Sequence, residues 1–292
     1  MNTCRLYPPT GDILKAGVFD AASFERQLTM IYIIYALVIL VATSIGALSG
    51  LGGGIIIKPL LDLLGVHGPA TINIYSSMAV FVMCCVSLVR QLRKGFEFNK
   101  TMVLSVSAGS LLGGIAGETV FSTLTRSFDT HLIKAMQSGV LTLVLALVFV
   151  YTLRQDTMPR SKHADPPTIF AEGFALGALA VFLGVGGGPL NMAALDLLFS
   201  LGPKEGAVYS LAIIFFSQLS KLVLSSTSGA LWAVDLSYVP FVVLPAIAGG
   251  FIGTHFNRML TEHKVRRIYA IVMGLLPLIS LYSCLANVLA LG

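Results

Sequence analysis

Apolar residues recur along this chain in long unbroken runs. Leu28–Ile45, Met102–Ile115, Val140–Leu153 and Ile268–Val288 contain almost no charge. A helix needs about 20 apolar residues to cross the hydrocarbon core of a bilayer. The second run is shorter, but the small residues after it extend it. Lipid offers backbone amides no partner, so such runs must be helical. A membrane β-barrel would alternate apolar and polar positions, and these runs do not. The pattern predicts an all-α polytopic membrane protein.

Glycine clusters punctuate the pattern twice. The chain reads GLGGGIIIKPLLDLL from Gly50 and GVGGGPLNMAALDLL from Gly184. A shift of 134 residues, from 50 to 184, superimposes both clusters. It also brings Asp62 onto Asp196 and Tyr75-Ser76 onto Tyr209-Ser210. GGIAG at 113–117 then matches GGFIG at 249–253, now shifted by 136. The chain therefore divides into a polar N-terminal segment (1–27), a first transmembrane repeat (28–153), a polar linker (154–167) and a second repeat (168–292). In each half a long helix runs into the cluster and a short apolar helix follows, over 55–64 or 190–201. Three longer helices complete the half, at 71–92, 101–119 and 132–153, then at 205–225, 236–256 and 267–289.

Basic residues set the orientation. They concentrate in the 90–100 loop, the linker and the 257–267 loop, and lysine and arginine favour cytoplasmic loops. All three loops share a side if the first pair of each half crosses an even number of times, as a re-entrant hairpin does, which makes the repeats inverted. Eight full crossings would make them parallel. The charge bias favours the inverted arrangement.

Composition agrees with a membrane chain. Of 292 residues, 55% are hydrophobic and 11% are charged, against about 25% charged in soluble domains. Mean hydropathy is +0.85. The net charge of +5 follows from the loops, so nucleic acid is not expected as a partner. No basic segment with a short apolar core opens the chain, and the first helix is expected to direct insertion into the cell membrane. The chain shows no Walker A loop, no HExxH helix, no serine with glycine two places before it and no metal-ligand spacing. Neither an enzyme nor a resident metal or cofactor is expected.

The clusters are the candidate site. Four glycines in G-x-GGG break a helix, since each costs roughly 1 kcal/mol against alanine. Irregular backbone at membrane depth is tolerated only inside protein or around a wet cavity. A fresh helix after each break aims unpaired amides and a positive dipole end at that cavity, which favours an anion. Two such breaks facing one hollow is a recurring plan of secondary transporters. The candidates for holding the substrate are Gly50, Gly52, Gly53, Gly54, Gly184, Gly186, Gly187, Gly188 and Asn191. Hydroxyls at Tyr75, Ser76, Ser77, Tyr209 and Ser210, with Lys58, Gln218 and Lys221, complete the set. Interhelical bonding and snorkelling lysines are the plainer readings of the last group. Asp62 and Asp196 lie in apolar sequence and are candidates for coupling to a proton or sodium ion; pairing near an interface is the alternative. GGIAG and GGFIG are read as close helix packing, and Glu118 is placed at a helix end.

At GLGGGIIIKPLL and GVGGGPLNMAAL the sequence resembles the TauE/SafE family of membrane permeases, also called sulfite exporters or toluene sulfonate uptake permeases. Gly50, Gly52, Gly53, Gly54 and Pro59 carry the match in one half, and Gly184, Gly186, Gly187, Gly188 and Pro189 in the other. The helices after them and the Gly-Gly-x-x-Gly segments match too, over about residues 30–290. Lys58 stands where an apolar residue is usual, and Ala193 where proline is frequent. The resemblance implies transport of sulfur-containing anions such as sulfite, sulfoacetate, thiosulfate or organosulfonates. A passive anion channel and a non-transporting accessory protein are the other readings.

Overall fold

The computed structural model describes residues 21–97, 99–154 and 165–289. Most of the N-terminal polar segment and linker residues 155–164, with Arg160 and Lys162, lie outside them. Ten α-helices occur among the described residues, and no strand. They are α1 (Ala21–Ser49), α2 (Gly54–Leu64), α3 (Pro69–Arg93), α4 (Lys100–Ser127), α5 (Thr130–Arg154), α6 (Pro166–Leu183), α7 (Gly188–Phe199), α8 (Pro203–Thr227), α9 (Val239–Met259) and α10 (Glu262–Leu289). Two 3-10 turns, Ala230–Ala233 and Leu236–Tyr238, join α8 to α9. Eight helices are long and apolar enough to cross a membrane. The exceptions are α2 and α7, with 11 and 12 residues, or about 16–18 Å of rise. Leu104, Leu143, Leu147, Leu244 and Leu278 point outward, as side chains facing lipid do.

α4 extends eight residues past the expected end at 119. The segment after Gly117 is rich in serine and threonine, which in water compete with helix. Here their hydroxyls bond back one turn: Thr119 to the Ile115 carbonyl, Thr123 to that of Thr119 and Ser127 to that of Thr123. The hydroxyls are thereby satisfied inside the helix, and it continues.

The first pair of each half is a hairpin that enters and leaves by the same face. Tyr35, midway along α1 and fourteen residues before its end, bonds His67 Nδ1 after the end of α2 at 2.7 Å. Ile169, near the start of α6, shares an apolar cluster with Phe199 and Leu201 at the end of α7. The hairpins enter from opposite faces. α3 and α8 cross antiparallel: Lys221 of α8 reaches the Asn73 carbonyl of α3, and Phe81 stacks on Phe215. The start of α3 therefore lies with the end of α8, on what we call the Tyr35 face. The end of α3 lies with the start of α8 on the Arg90 face. There Arg90 sits over the Phe251 ring, Lys204 reaches the Arg258 carbonyl and the Asn99 amide donates to Tyr209.

The halves interlock through parallel pairs. Gly109, Gly113 and Gly117 of α4 lie against the carbonyls of Phe170, Phe174 and Ala178 on α6. Gly249 and Gly253 of α9 lie against Leu40 and Ser44 of α1, and Asn257 donates to the Leu48 carbonyl at 2.6 Å. Glycines one turn apart let each pair approach to backbone contact. This is the packing expected of GGIAG and GGFIG.

Candidate functional site

Both glycine clusters break the helix, and they break it alike. Gly50, Gly52 and Gly53 take φ of 78°, 82° and 74°; their matches Gly184, Gly186 and Gly187 take 68°, 80° and 69°. Three left-handed residues within four positions are practicable only for glycine, because a Cβ would cost roughly 1–2 kcal/mol at each. α2 and α7 then start afresh, and neither N-cap glycine offers a side chain to their first amides. Of those amides, Gly54 and Ile56 donate to the Gly52 and Gly53 carbonyls and Pro189 has no N–H, which leaves Ile55, Gly188 and Leu190 without an intrahelical acceptor.

The two breaks touch reciprocally. A Cβ on Gly54 would lie 2.8 Å from the Val185 carbonyl oxygen, and one on Gly188 would collide with the matching Leu51 carbonyl. Asn73 of α3 abuts Gly184, and its match Ala207 of α8 abuts Gly50. Ser210 donates to the Gly50 carbonyl at 2.7 Å, and Ser76 to the Gly184 carbonyl at 3.5 Å. Every residue from Gly50 to Gly54 and from Gly184 to Gly188 is buried. The hollow expected between the breaks is thus displaced: the breaks pack on each other, and cavities lie to either side.

One cavity, about 430 Å³, reaches in from the Tyr35 face and is lined by Asn73, Glu118, Phe121, Arg126, Lys221 and Ser225 among others. It ends at Asn73, against Gly184. The other, about 260 Å³, lies on the Arg90 face with Tyr151, Met192, Asp196, Glu262, Arg266 and Tyr269 in its wall. It ends at Met192, against Gly50.

Donors without acceptors surround this centre. Asn73, Asn191 and Gln218 are 1%, 0% and 1% exposed. The Nδ2 or Nε2 of each finds no partner among the described residues. Lys221 is 1% exposed, donates among the described residues to the Asn73 carbonyl alone, at 3.3 Å, and lies 5.9 Å from the Phe121 ring. Ser77 and Ser217, by contrast, bond back to Asn73 and Ile214 carbonyls on their own helices. The sequence pattern does not single out Asn73, Phe121 or Glu118 as site residues. Asn73 stands one helical turn before Ser76 and Ser77, which is the signal that marks it.

The remaining candidates have partners of their own. Lys58 donates to Gln137 Oε1 at 2.6 Å and to the Leu183 carbonyl at 2.7 Å, while Gln137 takes the Phe182 carbonyl. Lys58 thus closes the C-terminus of α6 at the break, where a cation meets the negative dipole end. Asp62 sits 3.5 Å from Lys134, and Asp196 accepts from Tyr151 at 3.0 Å. Tyr75 and Tyr209 point away from the centre. Tyr75 donates to the Asp235 carbonyl in the α8–α9 loop at 2.7 Å, and Tyr209 accepts the Asn99 amide of the α3–α4 loop at 2.8 Å. Each ties its helix to the other half's loop, on opposite faces. Around Tyr75, the Ser237 amide holds the Asp235 carboxyl below its usual range, and burial holds the His67 imidazole below its own.

A family model described as Sulfite exporter TauE/SafE matches residues 35–278. The probable membrane transporter protein YunE of Bacillus subtilis (strain 168) is 25% identical over 269 residues, which covers 85% of this chain and 96% of that relative. No solved structure matches the chain.

Proposed function

The chain belongs to the sulfite exporter TauE/SafE family, and from that premise we propose that it is a secondary transporter of small anions, chiefly sulfur oxyanions and organosulfonates, working by alternating access around the paired glycine breaks. The observation that carries this reading is the reciprocal contact of the breaks, with a cavity on each side. Two helix N-termini, with the Ile55, Gly188 and Leu190 amides left over, favour negative charge. The buried amides of Asn73, Asn191 and Gln218 add donors, and Lys221 adds one full positive charge. Oxyanions present several acceptor oxygens and suit such a donor set.

The same geometry favours a carrier over a channel. The packed breaks stand between the two cavities, so passage requires them to separate. Antiparallel crossing of the matched helices α3 and α8 supports inverted repeats, in which a rocking motion exchanges the roles of the two faces. The Arg90 face gathers Arg93, Lys94, Arg154, Arg258, Arg266 and Arg267 at its helix ends, and the positive-inside tendency makes it cytoplasmic. The cell membrane is the site of action in this reading.

Purified protein in liposomes is expected to take up radiolabelled sulfite and methanesulfonate faster than protein-free liposomes, with saturation. Equal, unsaturable flux in both preparations contradicts the proposal. Single-channel conductance in a planar bilayer would turn the reading toward a channel.

A further inference from the structure

The cavity on the Tyr35 face holds two opposite charges that do not meet. Lys221 projects into it from α8, and Glu118 from α4. No carboxylate lies within ion-pair distance of Lys221 among the described residues, and Glu118 Oε2 is buried without a partner. Both side chains sit inside membrane-spanning helices; Glu118 accepts from Ser225 and Lys221 donates to the Asn73 carbonyl, but an ionisable group without an ion-pair partner at that depth marks a substrate or proton path. Other charge near Glu118 is sparse: α6, packed along α4, carries one charged residue, Glu172, its carboxyl oxygens buried without a partner among the described residues and level with Val106, about three turns of α4 before Glu118. Lys221 and Ser225 face it from α8. α3 contributes Asn73 and Ala70, and the α8–α9 loop contributes Ser228, Gly229, Ala230 and Ala233, none of them charged. Arg126, on the same helix as Glu118, is exposed at the mouth, where solvent and salt screen it.

We propose that Glu118 is a proton-binding site that couples anion movement to proton movement: the carboxylate takes up one proton when a monoanion enters the cavity beside Lys221, and gives it up when the anion leaves. This rests on the transport reading above. In the empty cavity the ammonium and the carboxylate balance. A monoanion beside Lys221 would leave one net negative charge in a poorly solvated space, where like charges a few ångströms apart repel strongly. A proton from water, forming the O–H bond of a neutral Glu118 carboxyl, restores balance. Empty and loaded cavities are then both neutral, so neither crossing of the transport cycle carries net charge through the membrane interior. The two aspartates that stand out in the sequence as coupling candidates have other partners, Asp62 in Lys134 and Asp196 in Tyr151.

Methanesulfonate is the probe, because its acid is strong and the free anion carries no proton near neutral pH. In proteoliposomes an inward proton gradient is expected to drive accumulation of radiolabelled methanesulfonate by the wild-type protein. Glu118→Gln is expected to keep exchange of labelled for unlabelled methanesulfonate but to lose gradient-driven accumulation. Accumulation retained in Glu118→Gln overturns the proposal, as does wild-type exchange that ignores the gradient; the latter leaves the transport reading standing. Absence of any wild-type exchange overturns both. A pH-sensitive dye trapped in wild-type vesicles reads the coupling without a variant: the interior acidifies as methanesulfonate enters. Uptake with a steady dye signal overturns it.

Discussion

Asn191 is buried completely, yet its side-chain amide has neither donor nor acceptor satisfied among the described residues. A buried polar group left unpaired costs about 1–3 kcal/mol, so a fold that keeps one is holding it for something. Asn191→Leu keeps the branching and the number of side-chain heavy atoms and removes the unmet groups. The variant is therefore expected to melt higher than wild type in detergent without ligand, by roughly 1 kcal/mol of stability. It should lose most of the further rise that methanesulfonate gives the wild type by mass action. A variant that melts lower, with its ligand response intact, would assign Asn191 a structural role. Asn191 and Gln218 stand out in the sequence as amides within apolar stretches. Asn73 does not, because hydroxyl residues surround it in TINIYSS and it is one polar position among several. Lys58 is conspicuous in sequence as a cation near the break, but its acceptors come from α5 and α6, far along the chain, and no local pattern shows them.

At the scale of elements, the breaks themselves are legible because the property that makes them is local. Glycine is the residue type for left-handed backbone, and a second cluster at matching distance excludes coincidence. What the breaks face is not local. The hollow anticipated between them is occupied by each other's backbone, and only the folded positions of α3 and α8 show it. The Tyr75 and Tyr209 contacts are likewise invisible in sequence, since Asp235 and Asn99 lie in connecting loops of the opposite halves. These two bonds tie a helix of one half to a loop of the other on opposite faces, each worth about 1 kcal/mol. Tyr75→Phe is expected to speed thiol labelling of Ser122→Cys, in the cavity on the Tyr35 face, without changing Ala193→Cys in the other cavity. Tyr209→Phe should do the reverse. If either change accelerates both positions, or neither, the tyrosines are not separate latches.

Taken whole, the molecule is two hairpins entering from opposite faces and held by crossed pairs of helices, α4 on α6 and α9 on α1. The charge bias of the loops already points to this arrangement in the sequence, because clusters near 90–100 and 257–267 fall on one side when the second hairpin re-enters and on opposite sides when it makes a single crossing. The crossed pairs are legible as packing glycines but not by partner, since small-residue stripes fit any close neighbour. The consequence for function is that breaks, donors and cavities meet at one centre. An anomalous difference map from crystals grown with selenite, an oxyanion carrying a heavy atom, tests that centre most directly. A peak is expected among the N-termini of α2 and α7 and the amides of Asn73, Asn191 and Gln218, with Gly54 and Gly188 drawn away from Val185 and Leu51. A protein that transports the anion while its only peak lies elsewhere, with the glycine breaks still in contact, would contradict it.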